Sequence, residues 1–214
     1  MPTTLSDRAA RIGALAGTLA GLLVGLPALA EIFTGETTTT SFFLALSPAF
    51  ALPLLTALHR RQSAVTGHFG ETAYVVNLIG LGLFGGAAFA ANLVLFPLDD
   101  AAVDRALSGP AGPALIGSAA VFAVGCALFG AAMLRARVFP RLPSWTYATA
   151  LPLFAFLTAL PDSALTSTLH IVAGATLVCL ASALWESTRP ATLRKRSLTS
   201  GRRPVGSEAP MDQG

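Results

Sequence analysis

Residues 73–97, AYVVNLIGLGLFGGAAFAANLVLFP, run for 25 positions without an Asp, Glu, Lys, Arg or His. At about 1.5 Å rise per residue, a helix of this length crosses the roughly 30 Å hydrocarbon core of a bilayer with room for tilt. Five further stretches resemble it, at about 12–33, 41–58, 114–134, 144–160 and 164–185. Backbone groups in lipid must be bonded within their own segment, and runs of 17 to 25 apolar residues are too long and too uniform for barrel strands. The expected class is therefore all-α: a polytopic transmembrane helix bundle of six spans, occupying residues 11–185. Composition agrees, because only 12% of the chain is charged and its mean hydropathy is +0.66. A soluble domain carries about 25% charged residues, and a chain this poor in charge lacks the polar surface to stay dissolved.

The connections carry the charge. Residues 1–10 form a short polar tail, 34–40 are rich in Thr, and 59–71 hold His59, Arg60, Arg61 and Glu71. An acidic connection with Asp99, Asp100 and Asp104 runs into the breaker cluster Gly109-Pro110-Ala111-Gly112-Pro113. Arg135, Arg137 and Arg141 precede the fifth span, and Pro161-Asp162-Ser163 forms a tight turn before the sixth. Residues 186–214 read as a disordered basic tail that lies on anionic lipid headgroups.

With the N-terminus in the cytoplasm, 13 of the 14 Lys and Arg residues fall inside, and only Arg105 falls outside. Glu36, Asp99, Asp100, Asp104 and Asp162 fall outside. The positive-inside rule then gives both termini cytoplasmic, with Trp145 and Trp185 at the inner boundary. Residues 1–30 also fit a secretory signal peptide: Arg8 and Arg11, an apolar stretch, then Ala28-Leu29-Ala30 before Glu31. Cleavage there would leave five spans. The reading adopted retains the first span, because its apolar run continues to Phe33.

Four glycines, Gly13, Gly17, Gly21 and Gly25, recur at every fourth position of the first span. They form a ridge without side chains against which another helix can approach closely. Gly82, Gly86 and Ala90 repeat the spacing in the third span, and Ala119, Ala123, Ala127 and Ala131 in the fourth. These ridges serve packing inside the bundle, or an interface with a second copy. The third span also matches a dinucleotide fingerprint at Gly80-Leu81-Gly82-Leu83-Phe84-Gly85, but that motif needs a strand before it and a helix start after it. Mid-span glycines cannot meet a pyrophosphate.

Four polar side chains within or beside the spans are candidates for function. His170 is the only histidine in a span, and Glu31, Asp99, Asp100 and Asp162 are possible partners at the same face. An ionisable residue there implies proton relay or pH sensing, or else a neutral ring bonded to a carbonyl. Asn77 and Asn92 lie roughly 60° apart around the third span and about 22 Å apart along it, so each is expected to tie to a neighbouring helix near one membrane face. Pro27, Pro48, Pro53 and Pro152 each free a carbonyl and kink a helix, as in the broken helices of many transporters.

No catalytic, cofactor or metal site is expected. His59 and His68 sit in an inner connection, far from His170, and neither H-E-x-x-H nor G-x-S-x-G occurs. Cys126 and Cys179 lie in apolar runs with no charge nearby to activate them. Nothing points to nucleic acid.

The segment Leu134-Arg135-Ala136-Arg137-Val138-Phe139-Pro140-Arg141-Leu142-Pro143-Ser144-Trp145 resembles the basic loop between late spans in small bacterial multi-span membrane proteins of unknown function. The resemblance covers this loop alone. It implies a bacterial cytoplasmic membrane and no activity. The function expected first is that of a non-enzymatic bundle acting by association, with itself or another membrane protein. The alternative is a small permease or channel for a neutral or apolar solute, using the kinked helices and His170, although the two halves show no repeated pair of helix interruptions. A lipid-modifying enzyme would need paired acids or metal ligands at one depth, which the sequence lacks. A cavity reaching mid-bundle favours the permease; a sealed bundle favours association.

Overall fold

The computed structural model describes residues 5–157 and 163–189. The far end of the fifth apolar run, most of the turn at 161–163, and the tail beyond Arg189 lie outside the described residues. Every described element is helical: α1 (Leu5–Thr34), α2 (Thr38–Phe89), a π-helical segment (Ala90–Leu95), α3 (Asp100–Leu107), α4 (Ala111–Ala136), α5 (Arg141–Leu157) and α6 (Ala164–Ser187). Among the described residues four stretches are long and apolar enough to cross a membrane: Asp7–Thr34, Thr38–Leu95, Ala111–Ala136 and Leu165–Ser187. The second contains two of the apolar runs, and α5 has 17 described residues.

Local chemistry sets the ends. Thr37 caps α2 through a reciprocal pair with Thr40, and Ser163 caps α6 in the same way with Thr166. Asp99 starts α3 by accepting the Ala102 amide at 2.7 Å, turning the acidic connection into a short helix the sequence pattern does not announce. α4 stops at Arg137, whose left-handed backbone (φ 54°, ψ 26°) sends its N–H to the Met133 carbonyl. The π-helical turn closes with the Phe96 amide on the Ala91 carbonyl, five residues back.

The connection expected at 59–71 is instead helix. Gln62, Ser63 and Thr66 are compatible with helical backbone, and the turn falls on one residue, Gly67 (φ 53°, ψ −152°). That conformation is open essentially to glycine alone. The chain folds back there into two arms, residues 38–66 and 68–89. Contacts across the hairpin show the return: the Thr56 hydroxyl lies 3.3 Å from that of Tyr74, and His59 Nε2 lies 3.2 Å from a Glu71 carboxylate oxygen.

The helical rods form a closed ring in the order α6, α1, first arm of α2, second arm of α2, α4, α5, and back to α6. Small residues set the closest approaches. A Cβ on Gly17 would lie 2.6 Å from Leu54 of the first arm, and one on Gly21 would lie 2.5 Å from the Gly174 carbonyl oxygen of α6. Gly25 sits beside Gly174 on the same face. Gly13 meets Pro53 and Ala57. Large apolar residues of α1, including Ile12, Leu15, Leu19, Leu22 and Leu26, point outward and are exposed, while Ala14, Ala20, Val24 and Ala28 face inward. An apolar exterior around a small-residue interior is the pattern expected when lipid is the solvent.

The expected ridge of the third span has the right period but the wrong phase. Gly82 and Gly86 are exposed, and a Cβ on either would meet nothing within 4 Å. Ala90 begins the π-helical segment. Contact on the second arm is made instead by Gly80, where a Cβ would lie 2.6 Å from Phe122 of α4, and by Gly85, where one would lie 3.1 Å from Pro48 of the first arm. At about 100° per residue Gly82 points nearly opposite to Gly80. On α4 the expected ridge is met in part: Ala119 and Ala123 are buried beside Phe122, Cys126, Phe129 and Met133, whereas Ala131 is half-buried and Ala127 exposed.

Candidate functional site

The two ends of the ring differ in chemistry. At one end Arg11 lies over the Trp185 ring at 5.6 Å, Arg61 donates to the Ser187 carbonyl at 2.8 Å, and Arg135 lies over Phe69 at 4.4 Å. The opposite end holds Glu31 near the end of α1 and Glu36 in the short link to α2.

Glu31, Glu36, Asn92 and His170 all line one cavity of about 440 Å³ at this carboxylate end. Its walls are otherwise apolar, with Pro48, Phe84, Phe154 and Phe156 prominent. Glu36 is exposed, so the cavity reaches the surface there. Deeper in the ring a second cavity of about 50 Å³ shares Val24, Ser47, Pro48, Phe84 and Phe154 with the first and continues to Leu58 and Tyr147. The two are therefore stacked along the ring, with the shared residues as the throat.

One Glu31 carboxylate oxygen is buried and has no hydrogen-bond partner. Glu36 accepts the Ser41 hydroxyl at 2.7 Å. His170 Nδ1 lies 2.8 Å from the Thr166 carbonyl; a carbonyl only accepts, so Nδ1 carries a proton and donates it there. The Phe154 ring meets the imidazole edge-on at 4.8 Å. The side-chain amide of Asn92 donates to the Ala88 carbonyl of its own helix at 2.9 Å, so this residue bonds back along its helix where a cross-helix bond was expected.

Asn77 stands apart from this group. It is fully buried, donates to the Tyr147 hydroxyl at 2.7 Å, and accepts the Cys126 thiol at 3.5 Å, joining the second arm to α4 and α5. Gly125 permits this, since a Cβ there would lie 2.5 Å from the Asn77 Cα. Cys126 and Cys179 are free thiols, the first buried and the second exposed. Among the described residues no group of three or more His, Cys, Asp or Glu could hold a metal ion.

A polar cluster near the arginine end was not singled out from the sequence. His59 stacks on Tyr74 at 4.1 Å and pairs with Glu71, while Gln62 is fully buried with neither amide atom bonded. These residues converge because Gly67 folds the arms together. Only a hairpin centred on that glycine would have brought them into one list.

The fold is thus an all-α helical bundle with several long apolar helices consistent with membrane spans, holding a cavity with two carboxylates at one end. Comparison of the chain with protein-family models, with curated proteins and with solved structures gives no match.

Proposed function

We propose that this chain is a six-span permease of a bacterial cytoplasmic membrane, admitting a small, largely apolar solute from the outer face into the centre of its ring. The arginine end is cytoplasmic in this reading, as are both termini, and the basic tail rests on anionic headgroups. The first span is retained, because cleavage after Ala30 would remove the rod that seals the ring between α6 and the first arm. The observation that carries the reading is the stacked pair of cavities, open beside Glu36 and reaching inward as far as Leu58. A cavity of about 440 Å³ is within the range of small-molecule sites, and its few polar groups among aromatic walls fit a site for a small molecule. Beyond Leu58 the His59–Glu71 pair and buried Gln62 form the closed inner side.

Uptake into proteoliposomes tests this. Reconstituted protein should accelerate flux of small aromatic solutes over protein-free vesicles, and Ala88→Trp, which fills the cavity from the second arm, should return flux to background. Equal flux with and without the plug would refute the permease. Association with a second copy is a second reading, favoured by the exposed Gly82–Gly86 face of the second arm.

A further inference from the structure

We infer that the cavity selects an amphipathic ammonium: a primary or secondary amine, protonated at neutral pH, on an apolar body. The inference rests on the reading of this cavity as a solute site and names the solute's class. It follows from what the polar groups on the wall have left to offer. One Glu31 oxygen is buried and unpartnered. His170 has committed its Nδ1–H to Thr166, and Ser47 has committed its hydroxyl to the Leu44 carbonyl at 3.0 Å. Asn92 has committed one amide hydrogen to Ala88. Two carboxylates and no Lys or Arg are among the described residues that line the cavity.

An anion would therefore meet the Glu31 carboxylate with no Lys or Arg among the described lining residues to offset it. A neutral solute would leave the Glu31 carboxylate unpaired in an apolar setting, which is costly. A divalent cation would need several oxygen ligands converging at short range, and the described residues supply no such cluster. An N–H-bearing cation satisfies the carboxylate with charge-assisted hydrogen bonds and can place its charge against the aromatic walls of Phe84, Phe154 and Phe156. From Glu31 down to Val24 at the throat is about 10 Å along α1, which sets the reach of the apolar body.

The test uses the full chain in lipid nanodiscs and tritiated 4-phenylbutylammonium at neutral pH, with empty nanodiscs subtracted. Saturable binding is expected. 4-Phenylbutanol, the uncharged isostere, should compete about tenfold more weakly or worse, and 4-phenylbutanoate should not compete. Glu31→Gln should weaken amine binding by about tenfold or more. Ala88→Trp should abolish binding, and Glu186→Gln, exposed at the opposite end, should leave it unchanged. Thermal melting of each variant separates lost folding from lost binding. Equal competition by the alcohol, with no effect of Glu31→Gln, would overturn the ammonium class and leave the permease reading standing. No saturable binding of the amine to the unaltered chain would likewise overturn it. Glu31-dependent binding without uptake in proteoliposomes would sustain the ammonium site and refute the permease.

Discussion

Replacing Gly21 by alanine tests the packing that closes the ring. The added methyl carbon would lie 2.5 Å from the Gly174 carbonyl oxygen, 2.7 Å from Val178 Cγ2 and 3.1 Å from the Val178 amide nitrogen. Carbon atoms pack best at about 3.5–4.0 Å, so α1 and α6 must separate by roughly 1 Å at this level. Val178 can rotate away, but the carbonyl belongs to the backbone of α6. Gly82→Ala is the matched control: it too exchanges a mid-helix glycine for alanine, and its methyl meets nothing within 4 Å. The helix-propensity gain of about 0.5–1 kcal/mol is common to both and cancels. What remains is the overpacking cost, about 1–3 kcal/mol. Unfolding in mixed micelles of rising SDS fraction, followed by tryptophan fluorescence, measures it directly. In a Trp145→Phe background the emission is that of Trp185, which lies on α6 beneath Arg11 of α1 and so reports the separation of these two helices. Gly21→Ala should unfold at a lower SDS fraction than Gly82→Ala. Coincident transitions would refute the close α1–α6 contact.

Three further outcomes follow from particular residues. Gly67→Ala should destabilise the fold by about 1–3 kcal/mol in the same assay, because its φ of 53° with ψ of −152° is hostile to a side chain. Asn77→Val should lower stability by about 0.6–1.7 kcal/mol through loss of the Tyr147 bond, whereas Asn92→Val, losing only a bond within its own helix, should change it less. Gln62→Leu should be neutral or stabilising by up to about 1–3 kcal/mol, since both buried amide atoms lack partners; a lower melting temperature would show that the amide is satisfied in the folded protein.

The helical class and the positions of the apolar runs were legible because charge-free length is a direct consequence of lipid as solvent. Glycine spacing in α1 was legible for the same reason: Gly13, Gly17 and Gly21 share one face, and that face meets neighbours. The same spacing misled on the second arm, because periodicity gives a face without saying what lies opposite it, and Gly80 and Gly85 carry the contacts there. The reversal between the second and third spans was legible as the polar stretch 59–71, but its confinement to Gly67, with helix on both sides, was not, because Gly67 and Gly70 look alike in sequence. Glu31, Asn92 and His170 could each be marked as polar groups near one face, but their convergence on one cavity depends on ring order, which no span contains by itself. His59, Gln62 and Glu71 were missed because they read as loop residues, and Tyr74 because it read as one more apolar residue at the start of a span.

The central claim is a cavity open to the outer face and closed toward the cytoplasm. Ser47 tests it most directly, being buried yet part of the throat between the two cavities. With Cys126 and Cys179 replaced by alanine, Ser47→Cys in intact cells should react with a membrane-impermeant methanethiosulfonate applied from outside, and Leu58→Cys, below the throat, should not. A Ser47→Cys that stays unmodified from outside, or that labels only from the cytoplasmic side of inverted vesicles, would contradict the account.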